Sequence, residues 1–260
     1  MYILKTDRTN NTQYQLKLNS KYIYIGLLMV GFIGCHSIQK NNNATTADSY
    51  PDIAIVGAMK NVMWKGELGG VINLDTIANK NGLYGLGPLS YLKGELLINN
   101  GKSYVSRVTS DSTMTVEKSD MVSAPFFVYG NVTEWHKIDL PAEVNTIKAV
   151  TQFIDDNTSA YEKPFAFKII GKVSTAQIHI QNLPEGMTVS SPTEAHQGQT
   201  NYVINDEDVE IIGFFSKEHQ GIFTHHDAWL HMHLITKDES KMGHVDTLFP
   251  AGMTLYLPKK

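Results

Sequence analysis

Two histidines one residue apart constrain this chain more than any other feature. His231 and His233 lie in Trp229-Leu-His-Met-His-Leu-Ile-Thr236, a run rich in strand formers. On a strand, residues i and i+2 share a face, so both imidazoles project together. The polar stretch 236–243 reads as a turn, and a second apolar run opens at Val245. A hairpin closed there brings His244 beside the His231/His233 face. Three neutral imidazoles converging on one point make an open tridentate metal site, and zinc is its commonest occupant. An isolated histidine is more often a surface or hydrogen-bonded core residue; the third histidine, after Gly243, is what favours a metal. His225 and His226 are neighbours, which a strand sends to opposite faces. They read as a polar loop ahead of the strand, apart from the metal.

The start of the chain reads as an address. Lys17 and Lys21 precede the apolar stretch Tyr22 to Gly34, which ends at Cys35, the single cysteine. That stretch is short for a membrane span and suits a signal peptide. A small residue before a lone cysteine resembles a bacterial lipobox, with Phe32 where such boxes usually carry Leu. The expected organisation is a lipoprotein-type signal peptide over 1–34 and a flexible tether over 35–50, with Cys35 as the lipidation site. A folded domain then spans 51–260. The chain would be exported and membrane-anchored, on the periplasmic or cell-surface side. An ordinary export signal or an uncleaved anchor is the alternative. The whole chain carries a net charge of −4, and loss of Lys5, Arg8, Lys17 and Lys21 against Asp7 makes the remainder more acidic. That balance argues against a nucleic-acid partner. With no second cysteine for a disulfide, an exported domain must be stable through its core.

The domain reads as α+β or mixed α/β, sheet-dominated, with two tightly packed β-rich halves. Residues 53–64 suggest a strand running into a helix or loop, and Asp75 a helix N-cap. Gly82-Leu-Tyr-Gly-Leu-Gly-Pro88 departs from the order of glycines in a dinucleotide loop and reads as irregular backbone. Asn100-Gly101 between two strand patterns predicts a type I′ hairpin. Glu95 opens its first strand, where a solvent-facing position is the ordinary reading. Residues 134–141 read as a loop and 143–157 as a helix. Strands are expected over 164–174, 176–181 and 210–215, with a long connection over 185–208. Gln177, His179 and Gln181 alternate with Ile178 and Ile180, placing His179 on the polar face of its strand.

Gly82 to Tyr104, with its glycine-rich run, Gly94-Glu95 and Gly101-Lys-Ser-Tyr104, resembles the alpha-acetolactate decarboxylase family. Ser123-Ala-Pro-Phe-Phe-Val128, Pro164-Phe-Ala-Phe-Lys-Ile-Ile-Gly171 and His231-Met-His233…Gly243-His244-Val245 extend the likeness over about residues 53 to 258. The resemblance implies zinc held by His231, His233 and His244, with Glu95 as the nearby carboxylate. It implies decarboxylation of (S)-2-acetolactate to (R)-acetoin and carbon dioxide. It also implies a small-molecule 2-hydroxy-3-keto acid as substrate and a homodimer.

Two departures stand out. The family has an arginine on the strand where this chain has His179, and a histidine clamps a carboxylate less reliably near neutral pH. The family's returning C-terminal glutamate has no counterpart before Lys260. His179 is therefore the candidate replacement beside Glu95, as a carboxylate contact or acid. The alternative function is a membrane-tethered metal-binding sensor or carboxylate-binding protein without decarboxylase activity.

Overall fold

In chain order the elements are β1 (Ala54–Gly57), α1 (Met59–Lys65), β2 (Ile72–Asn73), β3 (Leu83–Pro88), β4 (Glu95–Asn99), β5 (Lys102–Ser110), β6 (Thr113–Lys118), β7 (Ser123–Ala124), β8 (Phe126–Asn131), β9 (Trp135–Asp139), α2 (Ile147–Asn157), β10 (Phe165–Ile180), α3 (Pro192–Ala195), β11 (Thr200–Phe215), β12 (Leu230–Thr236) and β13 (Met242–Pro258). They come from a computed structural model that describes residues 53–161 and 163–259. The expected signal segment, Cys35 and the tether lie outside the described residues. Among the described residues no helix is long and apolar enough to cross a membrane.

Two large sheets and a two-stranded ribbon, β2-β7, build the domain. The first has the order β1-β8-β3-β4-β5-β6, and the second β10-β11-β12-β13-β9. β13 also pairs with β10, so β10, β11, β12 and β13 close into a ring. Closure leaves those four strands without a free edge along the paired stretches. Inside it, Phe165 stacks on Phe215 at 5.2 Å between ring centroids, among buried Ile178, Leu234, Leu248 and Leu255. Val150 and Ile154 of α2 belong to the same core. The two sheets share a second core. Leu86, Leu97 and Val128 of the first meet Ile212, Phe214, Ile235 and Met242 of the second. That shared layer is what lets a residue from one sheet face residues of the other.

The Asn-Gly turn forms as its chemistry demands. Asn100 and Gly101 both have positive φ, 48° and 81°, joining β4 to β5 in register. The helix of 143–157 starts later than expected, at Ile147, because Thr146 caps it by accepting from the Ala149 N–H. Other expectations fail for identifiable reasons. Leu83–Pro88 is strand β3, not irregular backbone, and only Gly82, with φ 60°, lies in the turn before it. Gly85 and Gly87 lie where a Cβ would fall within 3 Å of Phe127, so these glycines serve close packing within a strand. Residues 134–141 hold β9, whose half-exposed alternation hides it, since pairing to β13 stabilises it. Asp75 lies inside a 3₁₀ turn over Leu74–Thr76, after Asn73. The strands expected over 164–174 and 176–181 are one strand, β10, with register shifts against β13. The long connection of 185–208 contains α3 and the first half of β11, whose exposed polar outer face masks its strand period.

Candidate metal centre

Three adjacent strands bring the site together. In the β12–β13 pairing His233 lies opposite His244. In the β13–β10 pairing His244 lies opposite His179. Residues opposite one another share a face, so the three rings stand in a row, with His231 two residues along from His233. Ring centroids lie 5.1 Å apart for His231 and His233, 4.9 Å for His231 and His244, and 5.5 Å for His233 and His244. All three are buried, and one nitrogen of each lies within 4.8 Å of the others.

Gly243 sets how closely β13 approaches β10. A Cβ there would meet the His179 carbonyl oxygen at 2.6 Å. With a side chain at 243 the strands could not hold both His244 and His179 where they are.

Glu95, the first residue of β4, reaches the cluster from the other sheet. It is buried, with Oε2 3.6 Å from His233 Nε2. Its Oε1 accepts from the Gln181 backbone N–H at 3.2 Å. Burial drives its carboxyl well above the usual range, partly opposed by that hydrogen bond. The solvent-facing reading of Glu95 is thus corrected: residues beside it in β4 are apolar on both faces, because β4 is a central strand covered on each side.

The histidines are held neutral. Burial pushes His233 down to about 3, with the charge of His179 adding to the effect. Burial also holds His231 well below the imidazole range, assisted by His233, and His244 likewise, assisted by His179. Neutral imidazole is the form that ligates metal. Among the described residues the Nδ1 of His231 and both ring nitrogens of His233 are buried without a well-formed hydrogen bond, the Phe223 and Leu96 backbones interacting only weakly with the two rings. Orphaned polar atoms of this kind are costly in a protein interior. Lone pairs on three convergent imidazoles fit a borderline ion such as zinc, and coordination would relieve the cost.

His179 joins this group by way of Asp246. Its Nδ1 lies 2.7 Å from Asp246 Oδ1, and its ring lies 4.6 Å from that of His244. His179 is buried although it belongs to the polar set of its strand: that face looks into the site rather than to water. His179, His244 and Asp246 form a second convergent group that shares His244.

Further residues complete the surroundings. Gln181 Nε2 lies 3.4 Å from His179 Nε2, two residues along the same face. His196, which follows α3, lines the cavity beside Glu95. His225 does so too and packs its ring 5.2 Å from that of His244, which corrects its exclusion from the site. The loop reading of 225 and 226 holds, and His226 is exposed at the surface. A loop has no face period, so nothing in the sequence distinguishes His225 from His226. The position of Gln181 two residues beyond His179 was the one available signal for it.

A neutral tri-histidine set on adjacent strands, with a buried carboxylate opposite, defines a candidate metalloprotein on a two-sheet scaffold. The sequence profile of alpha-acetolactate decarboxylases matches residues 56–257, and the chain belongs to that family. The alpha-acetolactate decarboxylase of Lactococcus lactis subsp. cremoris strain MG1363 is 26% identical over 170 residues, which cover 64% of this chain and 67% of the relative. The crystal structure of alpha-acetolactate decarboxylase from Bacillus subtilis strain 168 superposes with a TM-score of 0.65 at 25% identity, covering 80% of this chain and 86% of the other. A Staphylococcus aureus protein of unknown function, described as similar to alpha-acetolactate decarboxylase, superposes at 0.68 with 17% identity. That match covers 78% of this chain and 84% of the other, and shows a shared fold.

Proposed function

We propose that this chain is a zinc-dependent decarboxylase of (S)-2-acetolactate or a closely related 2-hydroxy-3-keto acid, releasing carbon dioxide and the hydroxyketone, (R)-acetoin in the first case. The observation that carries this reading is the convergent buried His231/His233/His244 set, with unpartnered ring nitrogens on His231 and His233, facing Glu95 inside a member of this family. When bound by those three histidines, zinc supplies Lewis-acid polarisation of the substrate's hydroxyl and keto oxygens, worth several kcal/mol as charge develops.

The chain's own groups do the rest. Glu95 has one oxygen engaged by the Gln181 N–H and the other turned to His233. It is the group placed to hold the proton that the carbon receives after carbon dioxide leaves. Positioned proton transfer of this kind contributes roughly 10²–10⁴-fold. Asp246 orients His179 through Nδ1, leaving Nε2 on the side of Gln181. In this reading His179 takes the substrate carboxylate, the task given to an arginine in the resemblance drawn above. The surrounding apolar residues Met59, Leu92 and Phe126 keep water from the cavity.

The test is direct. The purified protein is loaded with zinc, its metal content measured, and acetoin followed from racemic acetolactate. Acetoin production by the zinc form, lost on chelation, supports the proposal. Full zinc occupancy with no turnover overturns it and leaves a metal-dependent carboxylate-binding protein.

We also propose export as a lipoprotein, supported by the basic and apolar run ending at Gly34-Cys35. Metabolic labelling with palmitate in a bacterial host checks it. Incorporation lost in Cys35→Ser is expected, and labelling that persists in that variant removes Cys35 as the site.

A further inference from the structure

The two strands that carry the three histidines do not stay paired. β12 lies against β13 only from His233 to Ile235, opposite His244 to Met242. Its other edge stays on β11 through all its residues, Leu230 to Thr236. Before His233, therefore, β12 parts from β13 while remaining anchored on its far side. A chamber of about 550 Å³ occupies the gap. Leu230 and Met232 line one side and Val245 the other, and Ile147, Lys148 and Trp229 close it from α2 and the preceding loop.

This chamber touches the candidate metal centre. His225 and His244 line it, and the same two residues line the inner cavity beside Glu95. The inner cavity has a volume of only about 20 Å³. That is about the space of one water, so of the two spaces that His244 borders the chamber is the one with room for a carbon skeleton. The chamber is several times larger than a five-carbon acid requires and falls within the range of small-molecule sites.

The walls define the chemistry. Ile147, Ala228 and Trp229 present apolar surface, backed by the buried Leu230, Met232 and Val245, next to a histidine of the candidate ligand set. Of the acidic groups in the lining, Asp246 is engaged by His179 at 2.7 Å, and Asp227 is an exposed rim residue beside His226. Lys148, exposed at the mouth, has no ion-pair partner among the described residues. Lys148 is the one lysine or arginine in the lining, and it draws the carboxylate of an organic anion to the α2 side of the mouth.

We propose that the chamber selects 2-hydroxy-3-keto acids bearing an apolar substituent larger than methyl, up to an aromatic ring, with Lys148 drawing the anion in. This rests on the decarboxylase reading for the reactive half of the molecule and adds what the other half is. Burial of each further methylene against this apolar wall tightens binding about fourfold.

Calorimetric titration of the zinc-loaded protein with lactate, 2-hydroxyisocaproate and 3-phenyllactate tests it, since these 2-hydroxy acids lack the keto group needed for decarboxylation. The dissociation constant should fall along the series, with phenyllactate at least tenfold tighter than lactate. Ile147→Trp, which fills the chamber from α2, should abolish the gradient; if that variant unfolds, Thr151→Trp fills the same wall. Lys148→Glu should weaken the acids threefold or more. A flat series, or a gradient unchanged by filling the chamber, overturns the proposal. Acetolactate turnover is measured in parallel: turnover with a flat series defeats the chamber alone, whereas a steep series without turnover of any keto acid defeats the decarboxylase reading alone.

Discussion

Glu95 Oε2 lies 3.6 Å from His233 Nε2, and the two residues belong to different sheets. The contact is possible because both sheets share one apolar layer, in which Leu97 of β4 meets Ile235 of β12 and Met242 of β13. A buried carboxyl against a buried imidazole with both nitrogens unpartnered is an incomplete arrangement. Those imidazole nitrogens are the ones that would hold a metal ion, with the Glu95 carboxyl beside them.

Replacing Glu95 by Gln keeps the shape and removes the proton carrier. Turnover should fall about 10²–10⁴-fold while zinc remains bound through the histidines. Metal analysis alongside the rate assay checks this. Loss of zinc in Glu95→Gln would make Glu95 a required ligand instead.

Replacing His233 by Ala removes one of three ligands. Zinc per chain after dialysis should drop below about one-tenth of the wild-type value, consistent with the dependence of such sites on each deprotonated ligand. For the wild-type protein, zinc at a hundred times its dissociation constant should add about 2.7 kcal/mol to stability. Thermal unfolding with zinc and with chelator reads that difference. His233→Ala should show none of it.

Asp246→Asn leaves His179 in place but removes the carboxylate at its Nδ1. Partners of this kind typically contribute 10–100-fold to affinity or activity when they orient an imidazole. The expected result is a rise in KM for acetolactate exceeding the fall in kcat, since His179 is assigned to the substrate carboxylate. A fall in kcat alone would place His179 in the proton transfer.

Gly243→Ala places a Cβ 2.6 Å from the His179 carbonyl oxygen. Backbone on both sides must shift, which costs about 1–3 kcal/mol. Urea unfolding should register that loss, and zinc affinity should fall with it, because His244 follows directly. Unchanged stability and affinity would show that β13 can move away from β10 without disturbing the site.

Asp155 accepts from Lys217 Nζ at 2.6 Å and from Lys163 Nζ at 3.5 Å, and the Lys217 hydrogen bond holds its carboxyl below the usual range. A lowered folded-state value means that this contribution is present above the unfolded carboxylate value and is lost as pH falls through the folded one. Asp155→Asn should therefore be less stable than wild type near neutral pH by about 1 kcal/mol or less. The gap should close below about pH 4. Chemical denaturation at several pH values measures the difference.

Local chemistry settled a good part of this protein in advance. The i, i+2 spacing of His231 and His233 puts both on one strand face whatever the fold, and Asn100-Gly101 admits the positive φ of its turn. The apolar spacing after Thr146 encodes α2. These are short-range consequences of backbone geometry, so the sequence carries them unaided. Other features needed the tertiary structure. Nothing near Glu95 in the chain distinguishes a solvent-facing carboxylate from a buried one; only the second sheet lying over β4 decides it. His179 and Asp246 are far apart in sequence and meet because β10 and β13 pair. His225 enters the site and His226 stays in water because packing against His244 selects one of two adjacent loop residues. The chamber beside His244 exists because β12 leaves β13 while staying on β11, a choice of strand pairing that no local pattern records.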